Sequence, residues 1–355
     1  MKFPNLKAAL DAMAGERLPG ASLCVSINDE PAFACSAGFS DEENGIETGT
    51  DTRYSAYSMT KLLTAVAVLK AAEQGKLELD AQIGDYLRGF HSFTVLLNDE
   101  HGRRIVACDV PPHVRHLLTM SAGFGEDMRQ LGCAPTREAV SALAEQPLFF
   151  EPGTHWLYGL CYEVLGAVLE ETYGQKLREI FKSEIFVPCG MTDSCFLSEI
   201  KDYSTIAPVY KAIGGSYVAC ALDKTYAPHP EYDSAGAGLV STAADYDRFL
   251  RALMHGRLVS EKSLALMKSD SLTADMRRDF NWPQTQGYGY GLGIRVPRPN
   301  SGLRDYGWGG AAGAYSLMDF ELDASLSFFT NVTGADETFL YPLLHGAFYA
   351  DMDIQ

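Results

Sequence analysis

The sequence predicts an α+β protein, an α/β sandwich in which an antiparallel sheet built from both chain termini is flanked by helices and carries an inserted, mostly helical subdomain. Three observations predict it. Apolar residues alternate with the two-residue period of a strand near the N-terminus and again after Gln286. Between these ends the apolar spacing is that of helices. The run Leu62–Leu69 is apolar all round, as expected of a helix inside the protein rather than on its surface.

The elements follow in order. Residues 7–15 read as a helix. Ala21–Ile27 and Pro31–Ala37 alternate as two strands joined by the turn Asn28-Asp29-Glu30. A helix from Ser58 to Gln74 stops at Gly75, a residue suited to a C-terminal cap. Phe93–Cys108 reads as a small hairpin around Asn98-Asp99-Glu100-His101-Gly102. Helices are expected at 136–146, 160–173 and 176–186, whereas 200–235, rich in Gly, Pro and Tyr, reads mostly as loop. Ala243–His255 forms a helix ending at Gly256, and Glu261–Ser269 follows. Gly289–Val296, Ala314–Asp319 and Ser325–Thr330 read as three antiparallel strands, covered by a closing helix over Glu337–Tyr349. The expected division is a sheet unit of residues 1–80 and 240–355, an inserted helical unit of 81–239, and an active site between them.

Composition narrows the partners. The 355 residues, 46% of them hydrophobic, can bury a sizeable core. A net charge of −17 opposes nucleic acid and anionic membrane surfaces, because both are bound through Lys and Arg. No apolar leader and no run of about 18 apolar residues is visible, so neither secretion nor membrane spanning is expected. The eight cysteines lack C-x-x-C pairs, which points to free, mostly buried thiols in a reducing cytoplasm rather than disulfides or zinc. No cofactor or metal is expected; the partner is a small-molecule substrate, and the oligomeric state stays open.

The chemistry begins at Ser58-Met59-Thr60-Lys61. On a helix, positions i and i+3 share a face, so the Ser58 hydroxyl and Lys61 amine come within hydrogen-bond reach as nucleophile and base. Two further segments stand out. Glu151-Pro152-Gly153-Thr154-His155-Trp156-Leu157-Tyr158 is a Pro-Gly turn leading to a tyrosine before an apolar helix. Tyr306-Gly307-Trp308-Gly309-Gly310-Ala311-Ala312-Gly313 has too little side chain for an ordinary strand, which suits close approach by a ligand or another backbone. Simpler roles stand beside these: Tyr158 as a core tyrosine capping the next helix, Trp308 as a strand aromatic, Tyr54 and Tyr57 as packing or pocket residues. Tyr288 and Tyr290 read as packing between strand and helix. His113, His116 and His155 read as structural or surface groups, with no third ligand at metal spacing. No G-x-S-x-G elbow exists, which argues against an α/β-hydrolase.

With Ser58-x-x-Lys61, Leu117-Leu118-Thr119-Met120-Ser121-Ala122-Gly123, Pro152-Gly153-Thr154 before Tyr158, Ala237-Gly238-Leu239-Val240-Ser241-Thr242 and Trp308-Gly309-Gly310 in this order, the chain resembles the serine β-lactamase and penicillin-binding-protein superfamily. Within it, class C β-lactamases and family VIII carboxylesterases are the nearest groups. The resemblance implies a β-lactamase/transpeptidase-like fold and acylation of Ser58, with Lys61 and Tyr158 sharing the proton. An ordinary lysine is neutral in only about one molecule in 2500 at pH 7, which is why a second base matters. It also implies an oxyanion hole from the N–H groups of Ser58 and Ala311, with Gly309 and Gly310 letting the substrate lie against that strand; Trp308 and Leu160 at the motif positions, and Tyr57 beside the nucleophile, complete the expected substrate wall. Two departures stand out. Trp308 replaces the Lys or His that binds a β-lactam carboxylate, and Tyr158-Gly159-Leu160 replaces Tyr-x-Asn. Both put apolar surface where the superfamily has polar recognition, which favours a carboxylesterase on small acyl esters. The alternatives are a class C-like β-lactamase or D-amino-acid peptidase, an acyltransferase, and a binding or sensor module without turnover.

Overall fold

In the computed structural model, which describes residues 2–99, 102–127, 131, 133–214, 216–220 and 229–353, the strands β1 (Gly20–Ile27), β2 (Glu30–Asp41), β3 (Ile46–Glu47), β4 (Tyr315–Asp319) and β5 (Ala324–Thr330) form one antiparallel sheet. Their order is β4-β5-β1-β2-β3, so the two ends of the chain meet at its centre. Ala21 lies opposite Thr330 and Ile27 opposite Ala324. The β1–β2 turn comes from Asn28 and Asp29, both at positive φ, the pairing that suits a tight hairpin.

Helices cover both faces, and the strand sequences show why. Ala21, Leu23 and Val25 of β1, with Leu326 and Phe328 of β5, pack against α1 (Pro4–Met13) and the C-terminal helix Glu337–Asp351 through Leu6, Leu10, Leu344 and Phe348. The intervening residues are small or polar because helix Ala243–Met254 lies close against the other face. There Ser26 and Ser325 donate to Asp247, and Ser327 Oγ donates to the Ala243 carbonyl. Both faces of β1 are therefore buried, as its sequence, without an exposed polar face, requires.

Next to this unit lies α2 (Thr60–Glu73), buried around its circumference up to Leu69, ending before Gly75 at φ 68°. It packs against α3 (Cys161–Tyr173), and the two share the large core cluster with Leu117, Leu118 and Phe249. The hairpin near residue 100 is present as Thr94–Asp99 paired with Gly102–Ala107; Glu100 and His101 of its expected turn lie outside the described residues.

Two expectations need correction. The stretch 200–235, read mostly as loop, also holds a hairpin: Val209–Ile213 pairs with Ser216–Cys220, and Val209–Ile213 pairs in parallel with Val332–Thr333. Residues 221–228 of that stretch lie outside the described residues. Gly289–Val296 is not one strand but a hairpin of Tyr288–Tyr290 with Arg295–Pro297. The bend has a steric cause. A Cβ at Gly293 (φ 80°) would lie 2.6 Å from both Ala65 Cβ and Tyr162 Oη, so the chain turns where it wedges between α2 and α3. Helix Ala274–Asp279, capped by Thr273 Oγ1 accepting from Met276 N, was not expected.

All eight cysteines are free, but only Cys24 and Cys161 are buried, fewer than expected. Among the described residues no helix is long and apolar enough to cross a membrane, and no cluster of three or more His, Cys, Asp or Glu could hold a metal ion.

Candidate active site

Ser58 sits in a short 3₁₀ turn, Tyr57–Met59, that runs directly into α2. The turn is held from several sides. Thr60 Oγ1 donates to the Tyr57 carbonyl (2.6 Å) and accepts from Leu239 N (3.0 Å), Ala56 N donates to Leu239 O (2.8 Å), and Tyr246 Oη donates to Met59 O (3.0 Å). These bonds hold Tyr57 at φ 46°, a left-handed conformation that is costly for a bulky side chain. Helical spacing then brings Lys61 back over Ser58. Lys61 is 5% exposed, and its Nζ donates to Ser58 Oγ at 3.2 Å and to the Gly236 carbonyl at 2.8 Å.

Tyr158 arrives from the other side of the cleft. Its segment is clamped to residues 120–125 by Leu157 N to Met120 O (3.0 Å), Gly153 N to Ser121 O (2.8 Å) and Leu160 N to Gly125 O (3.0 Å). Glycine is required at 159, where a Cβ would sit 2.3 Å from the Phe124 carbonyl oxygen. The Tyr158 ring faces Lys61 Nζ, 4.6 Å from the ring centroid, and its hydroxyl accepts from Trp308 Nε1 at 3.2 Å. Tyr158 and Trp308 also stack, 5.8 Å between centroids, with Trp282 edge-on to Tyr158 at 5.1 Å.

The third side is the glycine-rich segment, tied to β4 by Ser316 N to Trp308 O (3.0 Å) and to the residue before it by Gly310 N to Ala314 O (2.8 Å). Its glycines serve close approach within the protein as well as the cleft wall. A Cβ at Gly309 would lie 2.4 Å from Tyr341 Oη, and one at Gly310 would lie 2.5 Å from the Ala56 carbonyl. This contact sets the segment directly against the Ser58 turn. Ala311 opens the turn that follows, is exposed, and its N–H finds no acceptor among the described residues.

Ser58, Tyr158, Trp308, Gly309, Gly310 and Ala311 all line one cleft of about 340 Å³. Leu160 and Tyr57, expected on its wall, do not. Leu160 is 4% exposed and packs into the core at the start of α3, and Tyr57 is 4% exposed, turned inward by its left-handed backbone. The far end of the cleft holds groups that sequence reasoning passed over. Arg295 Nη2 donates to Asp305 (2.6 Å) and His345 Nε2 lies 3.1 Å from the same carboxylate. Burial pushes the Asp305 carboxyl up, but the Arg295 charge and hydrogen bonds from His345 and Arg295 outweigh it and hold the group well below the usual range. Glu163, enclosed beneath Lys61, was also missed. Its one signal was a charge within the apolar run Leu160–Leu169. Burial pushes its carboxyl up, against hydrogen bonds from Ser234 and Tyr232 and the Lys61 charge. His116 and His113 contact one another, and His155 contacts Asp279; none lines the cleft.

The arrangement can do acyl-transfer chemistry: a hydroxyl with an amine on it, a phenol over the amine, and across the cleft a backbone donor with no acceptor among the described residues. Comparison with known proteins gives the family. The Beta-lactamase family profile matches residues 6–346. Protein Rv1367c of Mycobacterium tuberculosis is 29% identical over 321 residues, covering 81% of this chain and 80% of that one. Esterase EstB of Burkholderia gladioli is 27% identical over 370 residues, covering 92% and 91%. The solved structure of EstCE1, described as a hydrolase with promiscuous acyltransferase activity, has the same fold, with a TM-score of 0.82 at 22% identity over 97% of each chain. With this fold and a family match over nearly its whole length, the chain belongs to the Beta-lactamase family and is a serine hydrolase of that family.

Proposed function

We propose that the protein is a carboxylesterase that cleaves small acyl esters through an acyl-Ser58 intermediate. The observation that carries this reading is the 3.2 Å between Lys61 Nζ and Ser58 Oγ beside a cleft walled by Tyr158 and Trp308. Ser58 Oγ attacks the ester carbonyl carbon, and its proton passes to the Lys61–Tyr158 pair. The carbonyl oxygen becomes an oxyanion held by the N–H groups of Ser58 and Ala311. Collapse breaks the carbon–oxygen bond, the leaving alkoxide takes the proton, and the alcohol departs. Water then attacks the acyl carbon, giving up a proton to the same pair, and the acid leaves as Ser58 regains its hydrogen.

The preference for esters over β-lactams rests on Trp308. At the place where a Lys or His would meet a carboxylate stands an indole whose N–H is already engaged by Tyr158. The cleft volume of about 340 Å³ lies at the small end for ligand pockets and fits a short acyl group. We assign one wall to the inserted unit 81–239, which carries Tyr158, and the other to the unit of 1–80 and 240–355, which carries Ser58, Lys61 and Trp308.

Turnover of p-nitrophenyl acetate that survives in Ser58→Ala would defeat the reading. Nitrocefin hydrolysis as fast as ester hydrolysis would reverse the substrate preference. Transfer of the acyl group to an alcohol is a second reading, favoured by the apolar wall of Trp282, Trp308 and Tyr158. Products formed with added alcohols separate transfer from hydrolysis.

A further inference from the structure

Glu163 lies on α3, 3% exposed, and lines no part of the cleft. A buried carboxyl is tolerated only when its oxygens are hydrogen-bonded. Here all three donors come from one short segment: Tyr232 Oη at 2.8 Å, Ser234 Oγ at 2.7 Å and Gly236 N at 3.0 Å. The same segment turns the Gly236 carbonyl onto Lys61 Nζ at 2.8 Å, and Thr64 Oγ1 of α2 donates to the adjacent Ala235 carbonyl at 2.6 Å. A Cβ at Gly236 would lie 2.5 Å from Glu163 Oε1 and 3.5 Å from Lys61 Nζ. Only glycine lets the carboxyl, the segment and the amine meet, and the carboxyl and amine are no more than about 6 Å apart.

We propose that Glu163 is a positioning residue for Lys61: by gripping the Tyr232–Gly236 segment it fixes the Gly236 carbonyl that, together with Ser58 Oγ, sets where the amine points. This rests on the reading that Ser58 is acylated with Lys61 taking part in the proton transfer. Lys61 Nζ is held between two acceptors, Ser58 Oγ and Gly236 O. If Gly236 moves, the amine follows it off the line to Ser58, and a misplacement of about 1 Å can cost about 100-fold in rate. Binding of the ester is untouched, because neither Glu163 nor Gly236 reaches the cleft.

The test is pre-steady-state acylation of the full-length protein by p-nitrophenyl acetate, with near-ultraviolet circular dichroism and a thermal melt to establish the folded state. In Glu163→Ala, acylation and kcat fall about 10- to 100-fold while KM stays within about twofold. In Glu163→Gln the amide oxygen still accepts from Gly236 N–H and the NH2 turns to Tyr232 Oη, so the rate stays within about fivefold of the unmodified protein. Gly236→Ala approaches the same contact from the other side: the added methyl pushes the carboxyl off the amide, and kcat falls as in Glu163→Ala. It carries the test should Glu163→Ala not fold. An undiminished acylation rate in either folded variant, a change confined to KM, or Glu163→Gln as slow as Glu163→Ala overturns the inference alone. An unmodified protein that is never acylated at Ser58 overturns the hydrolase reading and this inference with it.

Discussion

Gly310→Ala tests whether the glycine-rich segment is built to sit against the Ser58 turn. The added methyl would lie 2.5 Å from the Ala56 carbonyl oxygen and 3.4 Å from Ala314 Cβ, where ordinary contacts begin at 3.4 Å. Close to 1 Å must therefore be taken up by moving one segment off the other. Ala56 yields poorly, because its N–H donates to Leu239 O at 2.8 Å and its carbonyl accepts from Met59 N at 3.2 Å. The glycine-rich segment moves instead, carrying the Ala311 N–H with it. Overpacking of this kind costs about 1–3 kcal/mol. At about 2–4 °C per kcal/mol for 150–250 residues, the melting temperature should fall by a few degrees. Retreat of an oxyanion donor by about 1 Å should lower kcat for p-nitrophenyl acetate about 100-fold with KM little changed. Gly346→Ala is the control: its methyl meets nothing within 4 Å and lies in the C-terminal helix, so stability rises by up to about 1 kcal/mol and kcat holds. A Gly310→Ala protein with unaltered kcat would refute the packing argument and the role given to Ala311.

Tyr158→Phe keeps the ring over Lys61 but deletes the hydroxyl that accepts from Trp308; kcat should fall about 10²- to 10⁴-fold, with a stability loss of only about 0.5–1.5 kcal/mol by thermal melt. Burial, helped by the nearby His113 and Arg115, pushes His116 from 6.5 down to about 4, so the folded state holds it neutral while the unfolded chain takes up a proton below about 6.5. Its contribution is complete above pH 6.5 and is lost as pH falls towards 4; melts across that window should show a steeper decline than in His116→Gln. Native thiol titration with a disulfide reagent should modify exposed Cys133 first, while Cys24 and Cys161, buried and pushed up to about 12, react only on unfolding.

What the sequence made legible is what short-range geometry decides. Ser58 and Lys61 meet because helical spacing forces them to, and β1 with β2 pairs because alternation brackets a short turn, one residue tighter than the Asn28-Asp29-Glu30 expected. The hairpin over Val209–Cys220 had a readable signal in the Gly214-Gly215 pair between alternating runs, hidden by the Pro- and Tyr-rich surroundings. The bend at Gly293 had none, since it answers a steric demand from Ala65 and Tyr162 on distant helices. Leu160 is expected on the cleft wall from its place in the Tyr158-Gly159-Leu160 motif, and Tyr57 from flanking Ser58. A helix start and a left-handed backbone turn them inward instead. Glu163 emerges only when α3 and the segment 73 residues further on are seen together, and the Arg295–Asp305–His345 group only when the C-terminal helix, 40 residues beyond Asp305, is folded back on it.

The most direct test of the whole account is the site of acylation. Mixing the protein with p-nitrophenyl acetate, quenching in acid within the burst and mapping the acetyl group by peptide mass spectrometry should find it on Ser58, and nowhere in Ser58→Ala. An acetyl group on another residue, or steady turnover with no acyl-protein at any time point, would contradict it.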